Sequence, residues 1–126
     1  MKRTIIALLL LIGCVGAAVF ELNYIRQSAD DFLLEIEELD GNMRRGDGAR
    51  AGALSDKLER DWGEWVQTVD ILLIHDYVDS VSTSLARMKS HIENGSAPQY
   101  FSESAAVKKA IVSISDSELP KWENIL

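Results

Sequence analysis

From Leu22 onward the apolar residues Leu22, Ile25, Ala29, Phe32, Ile36, Leu39 and Met43 recur at alternating steps of 3 and 4, while Glu35, Glu37, Glu38 and Asp40 fill the other faces. This is the a/d seam of a helix that packs on other helices. Gly41-Asn42, followed by Arg44-Arg45-Gly46-Asp47-Gly48, supplies a stop and a turn, so a second helix is expected to begin between Asp47 and Arg50. Its apolar positions are Ala51, Leu54, Leu58, Trp62, Trp65, Val69 and Leu72 or Leu73, with Gly63 the one weak helix former. The apolar run Val69 to Ile74 keeps the helical phase and no hairpin signal follows it, so it reads as helix rather than strand. A third segment, Val78, Val81, Leu85, Met88 and Ile92, repeats the 3 and 4 steps and stops at Asn94-Gly95. The pattern leaves open whether it joins the second helix near His75-Asp76. Gly95 to Ser102 reads as a loop, with Ser102 capping a shorter fourth helix that carries Ala106 or Val107, Ala110, Ile111 and Ile114. Pro120 ends the pattern, and Trp122 and Ile125 are expected to pack as a tail.

Before the seam, every residue from Ile5 to Phe20 is apolar or glycine, and Lys2 and Arg3 stand in front of the run. Continued through Leu22, Tyr24 and Ile25, such a helix reaches roughly 30 Å, the thickness of a bilayer's hydrocarbon core. Two other readings share the layout. Leu11-Ile12-Gly13-Cys14 resembles a bacterial lipobox, although Val15 to Phe20 stay apolar where a polar tether would follow; Val15-Gly16-Ala17 matches the small-x-small rule for signal cleavage. Length favours the uncleaved anchor. The expected fold class is therefore all-α, with an N-terminal transmembrane helix that continues into a small antiparallel bundle of three to four helices. Residues 1–21 form the anchor and 22–126 a helical domain, whose expected core is Phe32, Ile36, Leu58, Trp62, Trp65, Val69, Val81, Leu85 and Met88. The flanking cations belong on the cytoplasmic side, which gives a single-pass protein of the cell membrane with an extracytoplasmic C-terminal domain.

Charge then narrows the partners. Lys plus Arg number 13 against 20 for Asp plus Glu, and without Lys2 and Arg3 the rest of the chain carries 11 against 20, a net charge near −9. Such a surface repels phosphate backbones, so nucleic acid is not an expected partner. The one cysteine, Cys14, lies inside the apolar run, and stability must come from packing. His75 and Asp79, at i and i+4, are weak metal candidates, because two ligands do not make a site. Trp62 and Trp65 share a face that suits a stacked ligand, but within an apolar seam they read first as core. Ser80, Ser82, Thr83 and Ser84 lack a marked base, and Asp30, Asp31, Glu35 and Glu38 read as a solvated acidic face. No catalytic constellation and no cofactor motif stands out, so an enzyme is not expected.

The Met-Lys-Arg start and apolar segment, Trp62 and Trp65, His75 with Asp79, Ser84-Leu85-Ala86-Arg87-Met88 leading to Ile92, and the closing Glu123-Asn124-Ile125-Leu126 together resemble a family of short bacterial single-anchor proteins. That family is described as a domain of unknown function and occurs mainly in spore-forming Gram-positive bacteria. The stretch Asn94 to Ser102 departs from the family's shorter, charged connection. The resemblance implies a helical, membrane-tethered product and no particular activity.

The residues themselves favour an interaction protein that touches the membrane through residues 5–21 and binds another membrane or envelope protein, or itself. The alternative is a small-molecule or metal module built on the Trp62/Trp65 and His75/Asp79 region. The distal seam should be covered by fold-back of this chain, which leaves Leu22, Ile25 and Ala29 as the expected partner contact. The full-length chain should stay with membranes through an alkaline carbonate wash, and Cys14→Ser should change its mass by the substitution alone. Release into the wash, or loss of a lipid mass, ends the uncleaved-anchor reading.

Overall fold

A computed structural model describes residues 1–69 and 75–118, with the side chains of the last two left out. Four helices follow one another: α1 (Lys2–Arg44), α2 (Gly48–Val69), α3 (His75–Glu93) and α4 (Ala97–Glu118). No strand occurs among the described residues. Each helix packs on its two neighbours in a closed ring, α1 on α2, α2 on α3, α3 on α4 and α4 on α1. Pairs across the seams run antiparallel. Glu38 lies near Arg50 while Glu35 meets Lys57, and Trp62 meets Ser82 while Asp56 meets Lys89.

Two connections have the same construction. Gly46 adopts φ +74° after α1; its N–H donates to the Met43 carbonyl, and the Asp47 N–H donates to that of Asn42. This doubly closed helix end requires a left-handed residue, which glycine supplies at no steric cost. Asp47 then caps α2, its side chain accepting the Arg50 N–H at 3.1 Å. Gly95, at φ +67°, repeats the pattern through Ile92 and His91, and the Ser96 carbonyl accepts the first α4 hydrogen bond from the Tyr100 N–H. Turns of so few residues force each following helix back along the one before it.

Three features depart from the expected pattern. Helix α1 runs past Gly41-Asn42 to Arg44, because Asn42 Nδ2 donates to the Glu38 carbonyl within the helix and the left-handed stop comes only at Gly46. Helix α4 begins at Ala97 rather than after Ser102. Pro98 falls in its first turn, where the missing N–H has no helical partner to lose, and Ser102 lies within the helix, exposed. Finally, Ile25 and Ala29 are 1% and 2% exposed, so the expected partner contact is covered by this chain, with only Leu22 left half-buried. The reason is the length of α2: Thr68 and Val69 reach down to line a cavity with Ala17, Phe20, Glu21 and Tyr24. The apolar run Asp70 to Ile74, the Leu72 or Leu73 core position, the join of helices two and three, and the Pro120, Trp122 and Ile125 tail lie outside the described residues.

The expected core residues Phe32, Ile36, Leu58, Trp62, Trp65, Val69, Val81, Leu85 and Met88 are all buried in one cluster, which also takes in Leu39, Tyr100, Val107, Ile111 and Ile114. At its centre Phe32 stands edge-on to Trp62 and Trp65, with ring centroids 5.2 and 5.5 Å away. Below it, among the described residues, the bundle stops and α1 continues alone. Ile5, Leu10, Val19 and Phe20 are all exposed, and the apolar window of α1 is 0% buried.

Leu85→Ala should cost about 2–5 kcal/mol, whereas Glu38→Ala on the exposed face should change stability by about 0.5 kcal/mol or less. Lysine at Ile25 should unfold the bundle as readily as lysine at Ile36. Urea titration of the detergent-solubilised chain, followed by tryptophan emission, reads all four variants.

Candidate functional site

Where α4 closes against α1, the bundle buries a carboxylate. Asp40, 1% exposed, accepts hydrogen bonds from the Tyr100 hydroxyl and the Ser104 hydroxyl at 2.7 Å each and from Lys108 Nζ at 2.6 Å. Tyr100, Ser104 and Lys108 lie at steps of four along α4 and so form one stripe facing α1. Lys108 also reaches Glu37 at 2.7 Å nearer the surface. Burial pushes the Tyr100 hydroxyl well above its ordinary pKa, and the hydrogen bond to Asp40 and that residue's charge push it further. For Lys108, burial works against the ammonium, but hydrogen bonds to Asp40 and Glu37 outweigh it and hold the pKa above the usual lysine value. Tyr100 thus keeps its proton and Lys108 its charge. The node clamps α4 onto α1.

The second feature is open. One stripe of α1, Tyr24, Ser28, Asp31, Phe32 and Glu35, faces one stripe of α2, Asp61, Glu64, Trp65 and Thr68, across a groove of about 370 Å³. Four carboxylates rim it. Lys57 answers two of them, 3.5 Å from Glu35 and 2.8 Å from Asp61, at the end away from the apolar segment. Burial raises the Glu35 carboxyl above its usual range, Lys57 opposes this, and Asp61 and Asp31 add to it. The inner wall is aromatic. Trp62 Nε1 donates to Ser82 Oγ at 3.0 Å, but the buried Trp65 Nε1 has no hydrogen-bond partner among the described residues. An orphan donor of this kind costs about 1–3 kcal/mol.

The residues singled out from the sequence fall in different places. Trp62 is 3% exposed and belongs to the core, while Trp65, 7% exposed, serves both core and groove. His75 and Asp79 sit exposed in the first turns of α3 and do not line the groove. Among the described residues no group of three or more His, Cys, Asp or Glu is placed to hold a metal ion. Asp31 and Glu35 of the acidic face do border the groove. Asp40, Tyr100, Ser104 and Lys108 were missed, although a signal existed: stepping back from Ile111 and Val107 by 3 and 4 lands on Ser104 and Tyr100, polar groups at seam positions.

These features define an all-α bundle standing on an N-terminal helix long and apolar enough to cross a membrane. The chain belongs to the family described as Domain of unknown function (DUF4363), whose profile matches residues 19–125. No curated protein and no solved structure matches it.

Removing the Asp40 carboxylate leaves three buried or half-buried donors without their acceptor, so Asp40→Ala should cost about 3–5 kcal/mol, and Tyr100→Phe about 1–3 kcal/mol. The pH dependence has a definite sign. Tyr100 and Lys108 hold their protons more tightly folded than unfolded, so their contribution is complete below the unfolded pKa values, about 10. It is lost as pH rises from there toward the folded values. Stability measured by urea titration should be flat across the neutral range and fall in strong alkali, and the fall should be shallower in Tyr100→Phe.

Proposed function

We propose that this protein is a membrane-anchored interaction protein, held with its acidic bundle at the outer face of the cell membrane. One observation carries the reading: α1 is a single helix whose first half is bare and apolar and whose second half is the spine of the bundle. An exposed apolar surface of that size needs lipid around it. With Lys2 and Arg3 on the cytoplasmic side the bundle stands outside. The uninterrupted helix fixes its height and orientation, which suits a protein that presents a surface to another membrane or envelope protein, or to a second copy.

The surface offered is not the one expected at Ile25 and Ala29, since both are covered. Leu34 on α1, 68% exposed, is a large apolar side chain of the bundle left open to solvent, and Leu22 is half-buried just above the apolar segment. A photo-crosslinking residue at Leu34 or Leu22 should capture a discrete partner in native membranes, and the same residue at exposed Asp76 should not. Identical capture at all three positions would defeat the proposal.

A further inference from the structure

The outer face shared by α1 and α4 leaves two large apolar side chains open to solvent. Leu34 of α1 is 68% exposed and Val112 of α4 is 44% exposed. The bridge from Lys108 to Glu37, 2.7 Å long, ties the two helices at one level. Leu34 lies three residues from Glu37 and Val112 four from Lys108, both toward the apolar segment, so at about 1.5 Å per residue they stand within about 2 Å of the same height. Charge is ordered along the same face. From the apolar segment upward, α1 presents exposed Arg26, Leu34 and Glu37, and α4 presents exposed Asp116, Val112 and Lys109. The two helices thus carry opposite signs at matching levels about an apolar middle. Among the described residues no ion pair within 4 Å engages Arg26, Lys109 or Asp116.

We propose that this face binds a second copy of the chain, the two related by a two-fold axis along the bilayer normal. The inference rests on the interaction-protein reading above and names its partner. Two copies whose apolar helices enter one membrane in the same direction have their two-fold axis along the normal. That rotation sets α1 of each copy opposite α4 of the other without changing its height. Leu34 then meets Val112 of the other copy, Glu37 meets its Lys109, and Arg26 meets its Asp116 across about 5 Å of height that an arginine side chain spans. Symmetry makes each contact twice. Glu37 already pairs with Lys108 in its own chain, and a carboxylate has acceptor sites for both. The balance of charge selects this face over its neighbour. Here Arg26, Lys108 and Lys109 offset Asp30, Glu37 and Asp116, whereas the groove between α1 and α2 sets only Lys57 against Asp31, Glu35, Asp61 and Glu64. An acidic bundle repels its copy from the groove side and meets it with least repulsion along the balanced one. An unrelated partner has no reason to carry this order of signs, whereas a copy carries it by construction.

The test uses full-length chains carrying Cys14→Ser. Two differently tagged copies, one with Leu34→Cys and one with Val112→Cys, are expressed together and oxidised in their membranes. The mixed dimer should form faster than either same-position dimer, because a disulfide closes only where Cα atoms come within about 4.4–6.8 Å. Sedimentation equilibrium in detergent micelles then reads the charges. Arg26→Glu alone and Asp116→Arg alone should each weaken the dimer about tenfold, since each puts two like-charged pairs across the axis. Mixing the two variants should restore it, because each altered residue then faces its complement in the other chain, a result that no contact within one chain produces. Circular dichroism checks that each variant is folded. A chain that stays monomeric in micelles and gives no mixed dimer in membranes overturns the inference. So do same-position dimers that outpace the mixed one, or a mixture that associates no more tightly than either variant alone. Photo-crosslinking separates this from the reading beneath it: capture of a discrete foreign protein at Leu34 removes the second copy and keeps an interaction protein, whereas capture of nothing at Leu34 or Leu22 ends both.

Discussion

The bundle depends on the buried carboxylate of Asp40. A ring of four amphipathic helices with apolar residues every 3 or 4 positions has little in its hydrophobic packing to oppose a slip of α4 along α1 by a turn, because apolar contacts are non-directional. The carboxylate is directional. It accepts from Tyr100, Ser104 and Lys108 together, and a one-turn slip would leave a buried charge facing the wrong groups. The gain in stability from such a pair over an apolar substitute is small. Its contribution is to register, and through register to the closure of the ring.

Once α4 is seated, α1 is covered on two sides by this chain, and its role as a spine follows. The aromatic cluster of Phe32, Trp62 and Trp65 fills the space between α1 and α2, and the reach of α2 to Thr68 and Val69 carries coverage down to Ile25. The bundle thus sits directly on the apolar segment with no flexible spacer. Any force or tilt applied to the apolar half of α1 is passed to the core through a continuous helix. Flanking ion pairs such as Lys89 with Asp56 and Arg87 with Glu103 are exposed enough to contribute little individually.

The same geometry creates the groove. Two helices packed through large aromatic side chains stand apart at their outer edges, and there α1 and α2 place carboxylates facing one another. Lys57 compensates for the upper pair, Glu35 and Asp61, whereas Asp31 and Glu64 are nearer the apolar segment. Seating the Trp65 ring against Phe32 and Trp62 leaves its N–H buried without a hydrogen-bond partner among the described residues.

Much of this was determined by the sequence alone. The apolar segment, the helical period, the two turns and all nine expected core residues follow from local spacing and composition, since a seam at 3.5-residue intervals has one way to be buried. Family membership was legible in the same pattern. What only the tertiary structure decided were the features that depend on which helix meets which: the assignment of Asp40 to a buried node, the early start of α4 with Pro98 in its first turn, and the coverage of Ile25 and Ala29. Along the chain Asp40 is one more acid in a run of acids. It differs from Glu38 only because α4 arrives on its side of α1, some 60 residues later by way of Tyr100. Long-range pairing of that kind leaves no periodic trace in either helix. It is set by the order in which the helices close the ring.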